Sequence, residues 1–147
     1  MLNITKRVEY ALMALKFLVE KSPPPETTSI TVTAREISDH FNIPFDTISK
    51  VMQTLTHHHV LKSHQGIKGG YSLGQPLKEI NYYQLNMWLE GESFGHYCQT
   101  SERTCDQFNH CNIYHPLHTF NQNINEYFQK ISLESLLFEK RPIQNGK

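Results

Sequence analysis

Apolar side chains at Val8, Ala11, Leu12, Leu15, Leu18 and Val19 keep the three-and-four spacing of one helical face, with Thr5 placed to cap the first turn. The pattern predicts a helix over residues 5–21. It ends in Ser22-Pro-Pro-Pro-Glu-Thr-Thr-Ser29, because proline removes a backbone donor and clashes with the preceding turn. Thr33-Ala-Arg-Glu36 has capping-box spacing and predicts a short helix over 34–41. After Phe41-Asn42-Ile43, Pro44 suits the first position of another helix, whose apolar stripe is Phe45, Ile48, Val51, Met52 and Leu55.

Val60-Leu61-Lys62-Ser63 and Tyr71-Ser72-Leu73 flank the glycine-rich His64-Gln65-Gly66-Ile67-Lys68-Gly69-Gly70, the signature of a β-hairpin. Ile80, Tyr83, Leu85, Trp88 and Leu89 mark a helix over 80–90 that stops at Gly91. A polar loop follows. From Pro116, Leu117, Phe120, Ile124, Tyr127, Phe128 and Ile131 repeat at helical spacing and give a long helix with one apolar stripe, for which a second subunit is a natural cover. The order helix, turn, helix, hairpin is that of a winged helix. The expected fold is therefore mainly α with a small β-hairpin wing: a winged helix-turn-helix over residues 1–90, a cysteine loop over 91–115, and a dimerisation helix with a C-terminal tail over 116–147, together one compact domain.

With 147 residues there is no room for a second catalytic domain. Lys plus Arg and Asp plus Glu both total 14, so no global basicity advertises nucleic acid and any DNA reading rests on local pattern. Over residues 1–75 the bases number eight and the acids six, and five histidines (40, 57, 58, 59 and 64) add to that field below neutral pH. Lys6, Arg7, Glu9 and Lys16 break up the N-terminal apolar run, and no segment reaches the roughly 20 apolar residues a bilayer requires. A cytoplasmic protein without membrane partner or small-molecule substrate is the expectation.

In a helix-turn-helix, the N-terminal side chains of the second helix meet base edges in the major groove. Here those positions are Phe45, Asp46, Thr47, Ser49 and Lys50, although two amphipathic helices and a turn also make an ordinary helical hairpin. On the wing, His64, Gln65, Lys68, Gly69 and Gly70 ride on a narrow tip where glycine permits close backbone approach to phosphates; glycine is equally what a hairpin turn requires. His57-His58-His59 converges poorly on a metal, since adjacent helical residues point about 100° apart, and reads as a solvated helix end. No serine elbow, Walker loop or paired carboxylate suggests an enzyme.

The cysteines number three, at Cys98, Cys105 and Cys111, all within one polar stretch. An odd, clustered set suits metal ligation better than disulfides, and iron–sulfur clusters, Zn²⁺ and Cu⁺ all accept thiolates. The absence of a Cys-x2-Cys knuckle argues against a common zinc fold. The other possibility is a set of unrelated free thiols.

The chain resembles the IscR/NsrR-type family of winged-helix iron–sulfur transcription regulators. The resemblance is carried by Leu2-x-Ile4 with Glu9-Tyr10-Ala11-Leu12, the Ala34 to Val51 helix-turn-helix, Gly66-x-x-Gly69-Gly70-Tyr71-Ser72-Leu73, the cysteine loop, and Ile131-Ser-Leu-Glu-Ser-Leu136. It implies a homodimer on double-stranded, near-palindromic DNA, with a [4Fe-4S] or [2Fe-2S] cluster on Cys98, Cys105 and Cys111 controlling DNA affinity. IscR-like members place a histidine where Tyr114 stands here, with His115 one residue later. NsrR-like members have an acidic residue at the place of Glu9, which implies Glu9 as fourth ligand and His115 as the alternative; Glu9 otherwise simply complements a helix N-terminus.

The reading is a repressor that responds to nitric oxide, redox state or iron–sulfur status. Its rivals are a cluster-free or zinc-holding regulator of the same fold and an electron-transfer iron–sulfur protein, for which a helix-turn-helix and wing have no use.

Overall fold

A computed structural model describes residues 4–22, 30–91 and 105–138 of the chain. In order these form α1 (Lys6–Lys21), α2 (Ala34–Phe41), α3 (Phe45–His57), β1 (Leu61–His64), β2 (Gly70–Leu73), α4 (Tyr82–Glu90), α5 (Tyr114–Lys130) and α6 (Leu133–Phe138). Among the described residues no helix is long and apolar enough to cross a membrane.

The core is built where the helical stripes converge: Val8, Ala11 and Leu15 from α1, Ile37 from α2, Ile48, Val51, Met52 and Leu55 from α3, and Leu85 from α4 are all fully buried. The α1 stripe is rotated from the expected one, since Ala14 and Phe17 are buried while Leu12 and Val19 are half-buried. Thr5 caps α1 by accepting from the Val8 N–H at 3.4 Å. The Thr33–Glu36 capping box is present, with the Thr33 N–H donating to Glu36 Oε2 at 2.7 Å and Thr33 Oγ1 accepting from the Glu36 N–H at 3.1 Å.

The turn between α2 and α3 is fixed from inside. Asn42 takes the left-handed conformation at φ 53°, and buried Ser38 donates its hydroxyl to the Ile43 carbonyl at 2.7 Å. Pro44 is the N-cap of α3 rather than its first helical residue. Phe45, which the sequence placed both on the buried stripe and among the exposed positions at the helix start, is exposed, because the stripe begins one turn later at Ile48.

β1 and β2 pair antiparallel, with Leu61 opposite Leu73 and His64 opposite Gly70. Val32 adds a bridge to β2: its N–H donates to the Tyr71 carbonyl at 2.9 Å and its carbonyl accepts from the Tyr71 N–H at 2.8 Å. Sequence pattern missed it because one residue has no period.

α4 begins at Tyr82, two residues later than expected, behind an Asn81–Gln84 capping box. α5 begins at Tyr114, two residues before Pro116, and covers part of its own stripe by packing Phe128 on Tyr82, ring centroids 5.0 Å apart. The segment expected to be a tail turns back at Ile131–Ser132. The Tyr82 N–H donates to the Ile131 carbonyl at 2.9 Å and the Leu133 N–H to the Ile80 carbonyl at 2.8 Å, so α6 returns to the core with Leu133 fully buried.

Candidate nucleic-acid interface and cysteine site

The first turn of α3 carries the expected reading positions: Phe45, Asp46 and Lys50 are exposed, and Thr47 and Ser49 half-buried. They are free to point outward because Ile48, Val51, Met52 and Leu55 take up the opposite face. Sequence reasoning passed over Arg35, whose guanidinium lies over the Phe45 ring at 4.3 Å. Stacking of this kind restrains a long cationic side chain while leaving its donors free for phosphate. No sequence signal announced it, because the two residues lie in different helices.

The wing stands beside α3, against which β1 packs. His64 Nε2 bonds Ser72 Oγ at 2.8 Å across the strands, so that imidazole is partly committed to the hairpin. Gln65 and Lys68 are exposed, and Lys68 is held through its carbonyl, which accepts the Thr31 hydroxyl at 2.8 Å. Gly69 and Gly70 have a structural cause of their own. A Cβ on Gly69 would lie 2.6 Å from the His64 carbonyl oxygen, and Gly70, at φ 144°, would bring one to 2.9 Å from the Val32 carbonyl oxygen.

The histidine run is not a uniformly solvated helix end. His58 stacks on Trp88 at 4.8 Å and 12°, and burial followed by the neighbouring His57 and His59 charges holds its pKa below the ordinary value. His59 leaves the helix at φ 59°.

Of the cysteine site, Cys98 lies outside the described residues. Cys105 is exposed and Cys111 half-buried, and both are free thiols. Between them the chain forms one 3₁₀ turn over Phe108–His110, begun by the Phe108 N–H donating to the Cys105 carbonyl at 2.9 Å. Phe108 packs edge-on against Tyr114 at 5.0 Å, joining this turn to the start of α5. His115 is exposed in the first turn of α5.

Glu9 pairs with Lys6 at 2.7 Å, which holds the Lys6 amine above its ordinary pKa. It borders a shallow groove of about 430 Å³ with Leu12, Met13, Lys16 and Leu137. Among the described residues no three His, Cys, Asp or Glu side chains come together as a metal site, so Glu9, Cys105, Cys111 and His115 are not assembled within one subunit. Two accessible free thiols in a polar turn nevertheless fit the soft donor set of a thiolate-bound cluster.

Residues 4–139 match the Rrf2 family, described as an iron-dependent transcriptional regulator. A protein of Aquifex aeolicus (strain VF5), named as an HTH-type transcriptional regulator, is 26% identical over 133 residues, 88% of either chain. The structure of CymR (YrzC), the global cysteine regulator of B. subtilis, superimposes with a TM-score of 0.69 at 19% identity, covering 96% of this chain and all of that one. IscR of T. potens gives 0.68 at 16% identity, over 99% and 93% of the two chains.

Proposed function

Since the chain belongs to the Rrf2 family of transcriptional regulators, we propose that this DNA-binding regulator is a dimeric repressor whose affinity for a near-palindromic operator is set by an iron–sulfur cluster. The observation that carries the DNA half is the shared exposure of the α3 N-terminus and wing: Lys50, Lys68 and the Phe45-stacked Arg35 all reach solvent on elements that the core holds rigidly. In docking, α3 enters the major groove N-terminus first, Thr47, Ser49 and Lys50 face base edges, and Arg35 and Lys68 take phosphates. Exposed Phe120 and Tyr127 on α5, 58% and 55% accessible, support a second copy as its cover.

Cys98, Cys105 and Cys111 would hold the cluster, with Glu9 or His115 as fourth ligand. A bound cluster supplies iron–thiolate bonds that nitric oxide or a redox change alters. The loop and the dimer then carry the signal by shifting the spacing of the two α3 helices.

The test is anaerobic purification, with iron, sulfide and visible absorption measured beside DNA affinity. Brown protein is expected, losing both iron and sulfide on Cys98→Ala, Cys105→Ala or Cys111→Ala. Faster cluster decay in Glu9→Ala than in His115→Ala assigns the fourth ligand to Glu9, and the reverse order to His115. Colourless protein holding zinc or no metal overturns the cluster and favours a thiol-based regulator of the same fold, a reading to which the likeness to a cysteine regulator lends support.

A further inference from the structure

Ile67 has a relative accessibility of 108%, whereas the other large exposed apolar side chains among the described residues lie between 37% and 58%. Such full exposure of a β-branched residue is unusual at a turn tip, where Asn, Asp, Gly and Ser serve better. The backbone beneath it is firmly held. The Gly69 N–H donates to the Gly66 carbonyl at 2.9 Å, closing a turn with Ile67 and Lys68 at its two central positions. Thr31 grips that turn from behind through the Lys68 carbonyl, and the Val32–Tyr71 rung fixes the strand that follows. An apolar side chain is thus presented to solvent on a braced support.

We propose that Ile67 is a specificity-determining residue that seats in the operator's minor groove and excludes a G·C pair there. The proposal rests on the winged-helix DNA reading above and adds a residue and a base preference to it. Exposed Lys68 adjoins Ile67 at the tip and exposed Lys62 lies on β1 behind it, which matches a groove with charged phosphate rims and apolar sugar walls. With α3 in the major groove, the wing packed beside it reaches the neighbouring minor groove. There the guanine 2-amino group is a donor on the groove floor, and A·T pairs present acceptors only. Isoleucine offers no acceptor, so a seated Ile67 would leave that amino group desolvated and unpaired.

The test uses full-length protein and an operator obtained by selection from random duplex DNA. At the step under the wing, A·T is replaced by G·C and by inosine·cytosine, which keeps the guanine major-groove edge but lacks the 2-amino group. Wild type should lose about tenfold in affinity on G·C and little on inosine·cytosine. Ile67→Ala should lose about fivefold on A·T, bind all three duplexes alike, and keep the wild-type salt slope and melting temperature. Lys50→Ala should weaken all three duplexes alike, because its base contact in the major groove lies away from the step under the wing.

An Ile67→Ala protein that binds A·T as tightly as wild type and still rejects G·C overturns the proposal. So does equal rejection of G·C and inosine·cytosine, which would mark a major-groove reading. A change of oligomeric state in Ile67→Ala without change in DNA affinity reassigns the tip to a protein contact. In each of these cases selection and the Lys50 effect survive, and the DNA-binding reading with them. If wild type enriches no sequence and Lys50→Ala changes nothing, that reading fails together with the proposal.

Discussion

The winged helix and the cysteine segment solve the problem of chain geometry in opposite ways. In the first, each demanding conformation is met by a partner in the same chain: Asn42 at the α2–α3 turn by the Ser38–Ile43 bond, Gly70 by the Val32–Tyr71 rung, and the start of α2 by its capping box. Among the described residues, the backbone hydrogen bonds between Cys105 and Cys111 run between near neighbours, Phe108 to Cys105 and His110 to Gln107. Cys105 is exposed and Cys111 is half-buried. A reading head of the first kind is finished before it meets DNA. On the proposed function, a segment of the second kind would leave its final arrangement to the group the thiols hold, as a switch requires.

The largest effect that can break this contrast is in the core. Leu55 is fully buried among α1, α3 and α4 side chains, so Leu55→Ala should cost about 2–5 kcal/mol in urea unfolding of the cluster-free protein. Exposed Cys105→Ala should cost less than about 0.5 kcal/mol under the same conditions. Comparable losses would mean that the cysteine segment is as fully built as the winged helix.

The wing offers a finer test, because two of its glycines share a positive φ and differ in what surrounds them. Gly66 and Gly70 both have positive φ, at 104° and 144°, but a Cβ on Gly66 meets nothing within 4 Å and one on Gly70 meets the Val32 backbone. Gly66→Ala should carry only backbone strain, about 1 kcal/mol, whereas Gly70→Ala should exceed it and also weaken DNA binding by displacing the tip. Equal penalties would show that the Val32 rung does not brace the wing.

What the sequence disclosed follows the same division. The capping box at Thr33, the stripe from Ile48 to Leu55 and the hairpin around Gly66 were legible because caps, helical period and turn chemistry act over a few residues. The Val32 rung, the return of α6 and the stacking of Arg35 on Phe45 were not, since each depends on segments distant in sequence or on the direction of one side chain. Phe45 illustrates the limit: its period placed it inside, its place at the head of the second helix placed it outside, and the structure decides for the second. At the cysteines, residue type and spacing suggested metal chemistry. No local pattern brings Glu9 or His115 to the thiols, and among the described residues of one subunit no three such side chains meet.

A smaller effect sharpens the account of the reading head. Thr33→Ala removes the acceptor for the Glu36 N–H and should cost about 0.5–2 kcal/mol near neutral pH. The Thr33 backbone N–H and then its hydroxyl hold the Glu36 carboxyl below its ordinary value of 4.5. That part of the stability is present above the unfolded value and disappears as pH falls through the folded one. Denaturation curves should therefore converge for wild type and Glu36→Gln in acid, and separation that persists there would refute the ionic part of the box.

The smallest expected effect concerns His58, at the far end of α3 from the reading positions. Its ring is stacked on Trp88, and burial first, then the charges of His57 and His59, depress its pKa from the ordinary 6.5. The unfolded chain then takes up a proton near pH 6.5 that the folded chain resists, so stability falls as pH drops through that value and levels off below the folded pKa. His58→Phe keeps an aromatic face on Trp88 and the backbone bond from residue 58 to the Thr54 carbonyl, while removing the titration. Between pH 7.5 and 5.5 the variant should lose less stability than wild type. Parallel losses would mean that His58 is as open to solvent as a free imidazole, and that the junction of α3 with α4 is looser than the rest of the winged helix.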